Sequence, residues 1–152
     1  MKYTSTIFTL NKYLIDLAKK ENESYSRLKA LKILLLAKVK HFTDTQDILY
    51  NNMKFYSCDH FIDHEEIYEK YKFFAAYDIE YNKNDEFEPD EKINAFIRNN
   101  ECFLKRLIKM TPWDLTKYYH RVVFENTELF KNKFLDISDI QVMSINMRNI
   151  KG

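Results

Sequence analysis

The sequence holds a single glycine, Gly152, among 152 residues. Glycine is the residue that enters the left-handed backbone region without steric penalty and lets a main chain close on a phosphate. Its scarcity therefore narrows both the turns and the chemistries open to this chain. Phosphate-cradling loops, dinucleotide fingerprints and the Gly-x-Ser-x-Gly nucleophile elbow all need glycine at fixed positions, and none of these motifs is present. Turns must come instead from Asn and Asp, which tolerate left-handed conformations. Asn51–Asn52 and Asn99–Asn100 are the candidates.

The length fits one globular domain, residues 1–152, and suffices to bury roughly two-thirds of the unfolded surface without a disulfide or structural metal. Hydrophobic residues make up 45% and charged residues 31%, the balance of an ordinary folded protein, with aromatics high at 16%. A net charge of +1 argues against a polyanionic DNA mimic and against a strongly basic nucleic-acid binder. Cys58 and Cys102 make no disulfide framework. The longest apolar run, Ile33–Ala37, is far too short to span a bilayer, and no signal-type apolar segment opens the chain. A cytoplasmic protein with no membrane association is expected. Abundant Lys, Asn, Ile, Tyr and Phe beside scarce Gly, Ala and Arg read as the codon bias of an AT-rich genome, bacterial or phage.

Apolar periodicity predicts a mainly α fold, a compact bundle of five to six helices with a short strand or hairpin near residues 48–57. The first helix spans about Ser5–Lys20, with Ile7, Leu10, Leu14, Leu17 and Ala18 on one face. The second, Arg27–Phe42 after an N-cap at Ser24 or Ser26, is apolar round so much of its circumference that it should lie centrally. Lys29, Lys32, Lys38 and Lys40 are expected to supply its remaining polar surface. Residues 43–62 read as irregular, with Met53–Tyr56 a possible strand, and a helix follows over His64–Ala76. Asp78–Glu91, with seven carboxylates against one lysine, reads as a solvated loop that Tyr81 and Phe87 pin to the body. A helix opening at Pro89–Glu91 carries Ile93, Phe96, Leu104 and Leu107 inward. Thr111–Pro112–Trp113–Asp114 is a strong helix start, with Thr111 as cap and Pro112 at the first helical position. A last helix begins at Ser138.

Only one stretch suggests metal chemistry. Cys58, His60 and His64 are zinc-type ligands, and the two histidines stand four apart, the spacing that shares one helix face. Against this, Asp63 and Glu66 have the spacing of a capping box that starts the helix at His64. His60 then falls in the preceding loop, and no second ligand cluster completes a tetrahedron. The capped-helix reading is preferred, with no cofactor. His41 and His120 stand alone, and no serine or cysteine sits beside a base in a nucleophile motif, so no catalytic residue is assigned.

The ladder Tyr68, Tyr71, Phe73, Phe74, Tyr77 and Tyr81 cannot all point inward from one helix. Rings left at the surface are what protein interfaces enrich. Tyr68, Tyr71 and Tyr77 are taken as anchors for a protein partner, and Trp113 as a packing residue near its helix start.

The order of these elements resembles the SocA-like, or Panacea, antitoxin domain of bacterial and phage toxin–antitoxin modules. Leu28–Ala37, LKALKILLLA, is similar to that family's early Leu- and Lys-rich segment. Phe55–Cys58 followed by Asp59–Tyr71 occupies the place of its next motif, and Thr111, Pro112 and Trp113 resemble a late Thr and Pro-Trp pair. Cys58 stands where the family has Trp, and Phe61–Ile62 where it has Gly-Pro. The resemblance implies a non-enzymatic, antitoxin-like module that neutralises or sequesters a protein partner, a toxin, by direct contact. The alternative is a phage-borne inhibitor of a host defence system, of the anti-CRISPR type.

Overall fold

A computed structural model describes residues 1–50, 54–59, 61–127, 129 and 132–150. The fold is mainly helical. In chain order it runs β1 (Lys2–Tyr3), α1 (Thr6–Lys20), α2 (Arg27–Thr45), β2 (Phe55–Cys58), β3 (Phe61–His64) and α3 (Glu65–Tyr71). A 3₁₀ turn (Lys72–Phe74), β4 (Glu86–Phe87), α4 (Glu91–Asn99), α5 (Glu101–Lys109), α6 (Pro112–Val123), β5 (Lys133–Phe134) and α7 (Ile137–Asn149) complete it. No helix among the described residues is long and apolar enough to cross a membrane.

The described helices number seven, against the five to six that periodicity predicts, because α4 and α5 read as one continuous stripe. The break is made by Asn100. Its side-chain Nδ2 donates to the Phe96 carbonyl at 2.9 Å, the acceptor that its own backbone N–H would use in an unbroken helix. That N–H turns to Ile97 instead, at 3.2 Å. Apolar phase survives the break, since Ile93, Phe96, Leu104 and Leu107 are all buried.

α2 is the axis of the core. Leu31, Ile33, Leu34, Leu35, Leu36, Val39 and Phe42 are buried, and α1, α3, α5, α6 and α7 all pack on it. Ser26 caps it, accepting from the Lys29 N–H. Lys38, expected on the polar surface, is 1% exposed. Packing on every side of α2 leaves no solvent face at that position. Its ammonium donates to the Tyr50 carbonyl at 3.3 Å and lies over the Tyr50 ring, 5.2 Å from the centroid.

The strand expected at Met53–Tyr56 begins two residues later, and Met53 lies outside the described residues. β2 pairs antiparallel with β3 in the register Phe55↔His64 to Cys58↔Phe61, and β5 adds to its other edge. The segment expected as a solvated loop contributes β4, which pairs parallel with β1. Phe87 stacks on Tyr3 with centroids 4.9 Å apart, and the Tyr81 hydroxyl donates to Asp16 at 2.6 Å.

Positive φ falls on Asn22, Gln46, Asp59, Ala75 and Asn126, so Asn and Asp supply three of these glycine-like positions. Asn100 has φ of −133°, so the Asn99–Asn100 break is not left-handed, and Asn51–Asn52 lie outside the described residues.

Candidate functional site

Cys58 and His64 sit at opposite ends of the β2–β3 ladder, three residue steps or about 10 Å of strand apart. Cys58 is exposed, whereas His64 is fully buried. His60 lies outside the described residues, and no group of three potential ligands gathers among the described ones. The expected capping box is also replaced. The α3 cap is His64 itself, whose Nδ1 accepts from the N–H groups of Glu66 and Ile67 at 3.2 and 3.4 Å. Asp63 is engaged elsewhere, with Oδ2 accepting from Arg27 Nη1 at 2.8 Å and Oδ1 from the His64 N–H at 2.8 Å. A partner 36 positions away overrides the local motif. Burial, with the charges of Lys54 and Lys38, holds the His64 imidazole down to about 4, so the ring is neutral.

The aromatic ladder divides after α3. Tyr71 is 1% exposed. Its hydroxyl accepts from Asn11 Nδ2, and its ring meets Phe8 and Phe74 edge-on. It faces the core because α3 lies along α2 and only one of its sides is free, so it offers no ring to a partner. Tyr68 and Tyr77 do reach solvent, and Phe73, at 89% exposure, is the most open ring of the group. Lys72 lies over both Tyr68 and Phe73, at 5.7 and 5.4 Å, and the Arg27 guanidinium covers Tyr68 at 5.6 Å.

A larger apolar surface lies where α2, β3 and α6 meet. A depression of about 210 Å³ there has Leu31, Ile62 and Tyr119 in its floor and the exposed Leu28 and Phe61 at its rim. Thr116 and His120 belong equally to a second, open groove of about 610 Å³ that runs along α6 past Trp113 to Phe124. The two depressions therefore adjoin across Thr116 and His120. Trp113 is 76% exposed, which corrects its assignment to packing. The helical phase explains why. Trp113 lines up with Lys117, His120, Arg121 and Phe124 at i+4, i+7, i+8 and i+11, whereas Leu115, Tyr119 and Val122 form the buried stripe. That signal was present in the sequence. The exposure of Leu28 and Phe61 was not, because it depends on how β3 passes α2. Lys32 crosses the junction and donates to the Thr116 hydroxyl at 3.0 Å.

Isolated apolar residues at a surface are ordinary, but contiguous ones rimmed by polar groups mark interaction sites. Leu28 and Phe61 at one depression and Trp113 at the adjoining one, with tyrosine and arginine beside them, have the composition of a protein-binding face. No family model, no curated protein and no solved structure matches the chain.

Proposed function

We propose that this chain is a non-enzymatic, antitoxin-like binding module of a bacterial or phage cytoplasm, which neutralises or sequesters a protein partner by direct contact. The observation that supports this most is the pair of adjoining apolar depressions on α2, β3 and α6, with Leu28, Phe61 and Trp113 reaching solvent at their edges. With Leu28 and Phe61 less than half exposed and Trp113 about three-quarters exposed, their uncovered surface forgoes on the order of 1–2 kcal/mol each relative to full burial, a cost that a bound partner reverses. The similarity of Leu28–Ala37, Phe55–Tyr71 and Thr111–Trp113 to SocA-like domains supplies the class of partner, a toxin. Each of these segments carries one residue of the exposed face: Leu28, Phe61 and Trp113.

The test is affinity capture from the native host with tagged wild type and with the Phe61→Ala/Trp113→Ala variant, read by mass spectrometry. One stoichiometric protein held by the wild type and lost by the variant is the expected result. Equal capture by both would move the interface elsewhere, and no specific protein in either arm would refute the binding module. The identity of the captured protein separates a toxin from a component of a host defence system.

A further inference from the structure

The charge around the apolar depression is one-sided. Lys32, Lys109, Lys117 and Arg121 line its neighbouring grooves, and none of the four forms an ion pair with a carboxylate among the described residues. Other cations, Lys54, Lys92, Lys105 and Lys133 among them, are paired with Glu66, Asp47, Glu21 and Asp139; what sets this surface apart is that its unpaired cations stand beside exposed apolar side chains. Lys29, also at the rim, is already committed to the carbonyls of Ser24 and Ile108, at 2.9 and 2.7 Å. Lys32 is different again. It is half-buried, with only the Thr116 hydroxyl as partner among the described residues, and burial lowers its pKa. A desolvated ammonium beside one neutral acceptor gains from an arriving carboxylate more than an exposed lysine does. The carboxylates of the same surface, Glu23 and Glu125, stand at its two ends, in the grooves remote from each other.

From Trp113 to Phe124 the α6 face runs eleven residues, about 16 Å, or three helical turns. A helix laid in a groove presents anchors at that repeat. Resting on the protein-binding reading of this face, we propose that its occupant is an acidic amphipathic helix of the partner protein. Its apolar side fills the adjoining depressions edged by Leu28, Phe61 and Trp113, and its carboxylates meet Lys32, Lys117 and Arg121. A nucleic acid fits the same surface less well, because a chain of net charge +1 lacks the strongly basic footprint that phosphate backbones require.

A displayed library of random peptides about four turns long, selected on the full-length protein, tests this. Enriched sequences are expected to combine Leu or Phe at helical spacing with Asp or Glu. Lys117→Glu/Arg121→Glu and Trp113→Ala should each weaken them about tenfold or more. All three positions are exposed, and circular dichroism verifies that the variants stay folded. Neutral or basic peptides that still depend on Trp113 would overturn the acidic occupant and leave the binding face standing. If no enriched peptide depends on Trp113 or Phe61, the occupant and the protein-binding reading of this face fall together. A labelled single-stranded oligonucleotide held by the wild type and released by Lys117→Glu/Arg121→Glu would overturn the proposal by assigning the cations to phosphates.

Discussion

The imidazole of His64 meets the ring of Phe55 edge-on, with centroids 4.7 Å apart and planes at 76°. Because Nδ1 accepts from the first N–H groups of α3, the proton of the neutral ring sits on Nε2, a buried atom without a hydrogen-bond partner among the described residues. A second proton would have to go on Nδ1, and the cap would be lost.

Acid should therefore loosen the fold through His64. Its pKa falls from the ordinary 6.5 to about 4 on folding, so the unfolded chain takes up the proton first. The stabilisation is complete above pH 6.5 and is lost as pH falls to about 4, by on the order of 3 kcal/mol. Urea unfolding of wild type and His64→Asn at pH 7 and pH 4.5 checks this. Asn retains a capping oxygen but does not titrate, so its midpoint should move much less. Equal pH dependence in the two proteins would remove His64 as the cause.

Lys38 should make the protein more stable in mild alkali. Burial, with the charge of Lys92, lowers its pKa from 10.5 to about 8, so at neutral pH the unfolded chain is the better host for the ammonium. Stability then rises with pH from about 8, and the gain is to be measured below about 9.5, before tyrosines of the unfolded chain ionise. Lys38→Met fills the same space without a charge and is expected to stabilise the protein at pH 7 by about 1–3 kcal/mol, with the alkaline rise abolished. A destabilised Met variant would show that the bond to the Tyr50 carbonyl outweighs the cost of burying the charge.

Ala75 occupies φ 51°, ψ −122°, the first central position of a II′-type turn that the Tyr77 N–H closes on the Phe74 carbonyl at 2.9 Å. A Cβ is strained there, by about 1–3 kcal/mol. Part of that is offset in the Gly variant by its greater entropy when unfolded, so Ala75→Gly should gain about 1 kcal/mol and raise Tm by a few degrees. A lower Tm would mean that the turn is not strained in solution.

The three tyrosines should separate cleanly. Tyr71→Ala empties a core site and is expected to cost about 3–5 kcal/mol. Tyr68→Ala/Tyr77→Ala removes one open ring and one that Arg27 and Lys72 partly cover, and should cost about 1 kcal/mol, well below Tyr71→Ala. Partner capture by the double variant then shows whether the recognition surface extends past Arg27 onto α3. Undiminished capture would confine it to α2, β3 and α6.

Local signals carried the helices well. Ser26 and Thr111 cap α2 and α6, and Ile7, Leu10, Leu14 and Leu17 are buried along α1 as their spacing required. Two of the failures share one physical cause, which is that a distant group decided the outcome. Arg27 draws Asp63 out of its capping box, and the helices surrounding α2 turn Lys38 into a core residue. Of the site, the exposed rings after α3 were foreseeable because too many aromatics crowded one short helix. Trp113 could have been placed by its phase with Lys117 and Arg121. Phe61 could not, since nothing in a four-residue strand says which neighbour covers its outer face.

The central position of α2 has a consequence for how the protein is made. The helix is complete at Thr45, but α7, its most extensive neighbour, ends only at Asn149. At ~5–20 residues per second a ribosome needs ~5–20 s to add the intervening ~100 residues, while an apolar helix closes in microseconds. For that interval the nascent chain carries a formed, sticky rod with no cover on one side. Such a rod is a natural client for a chaperone at the exit tunnel, and yield on overexpression should follow translation speed and chaperone supply more closely than thermodynamic stability.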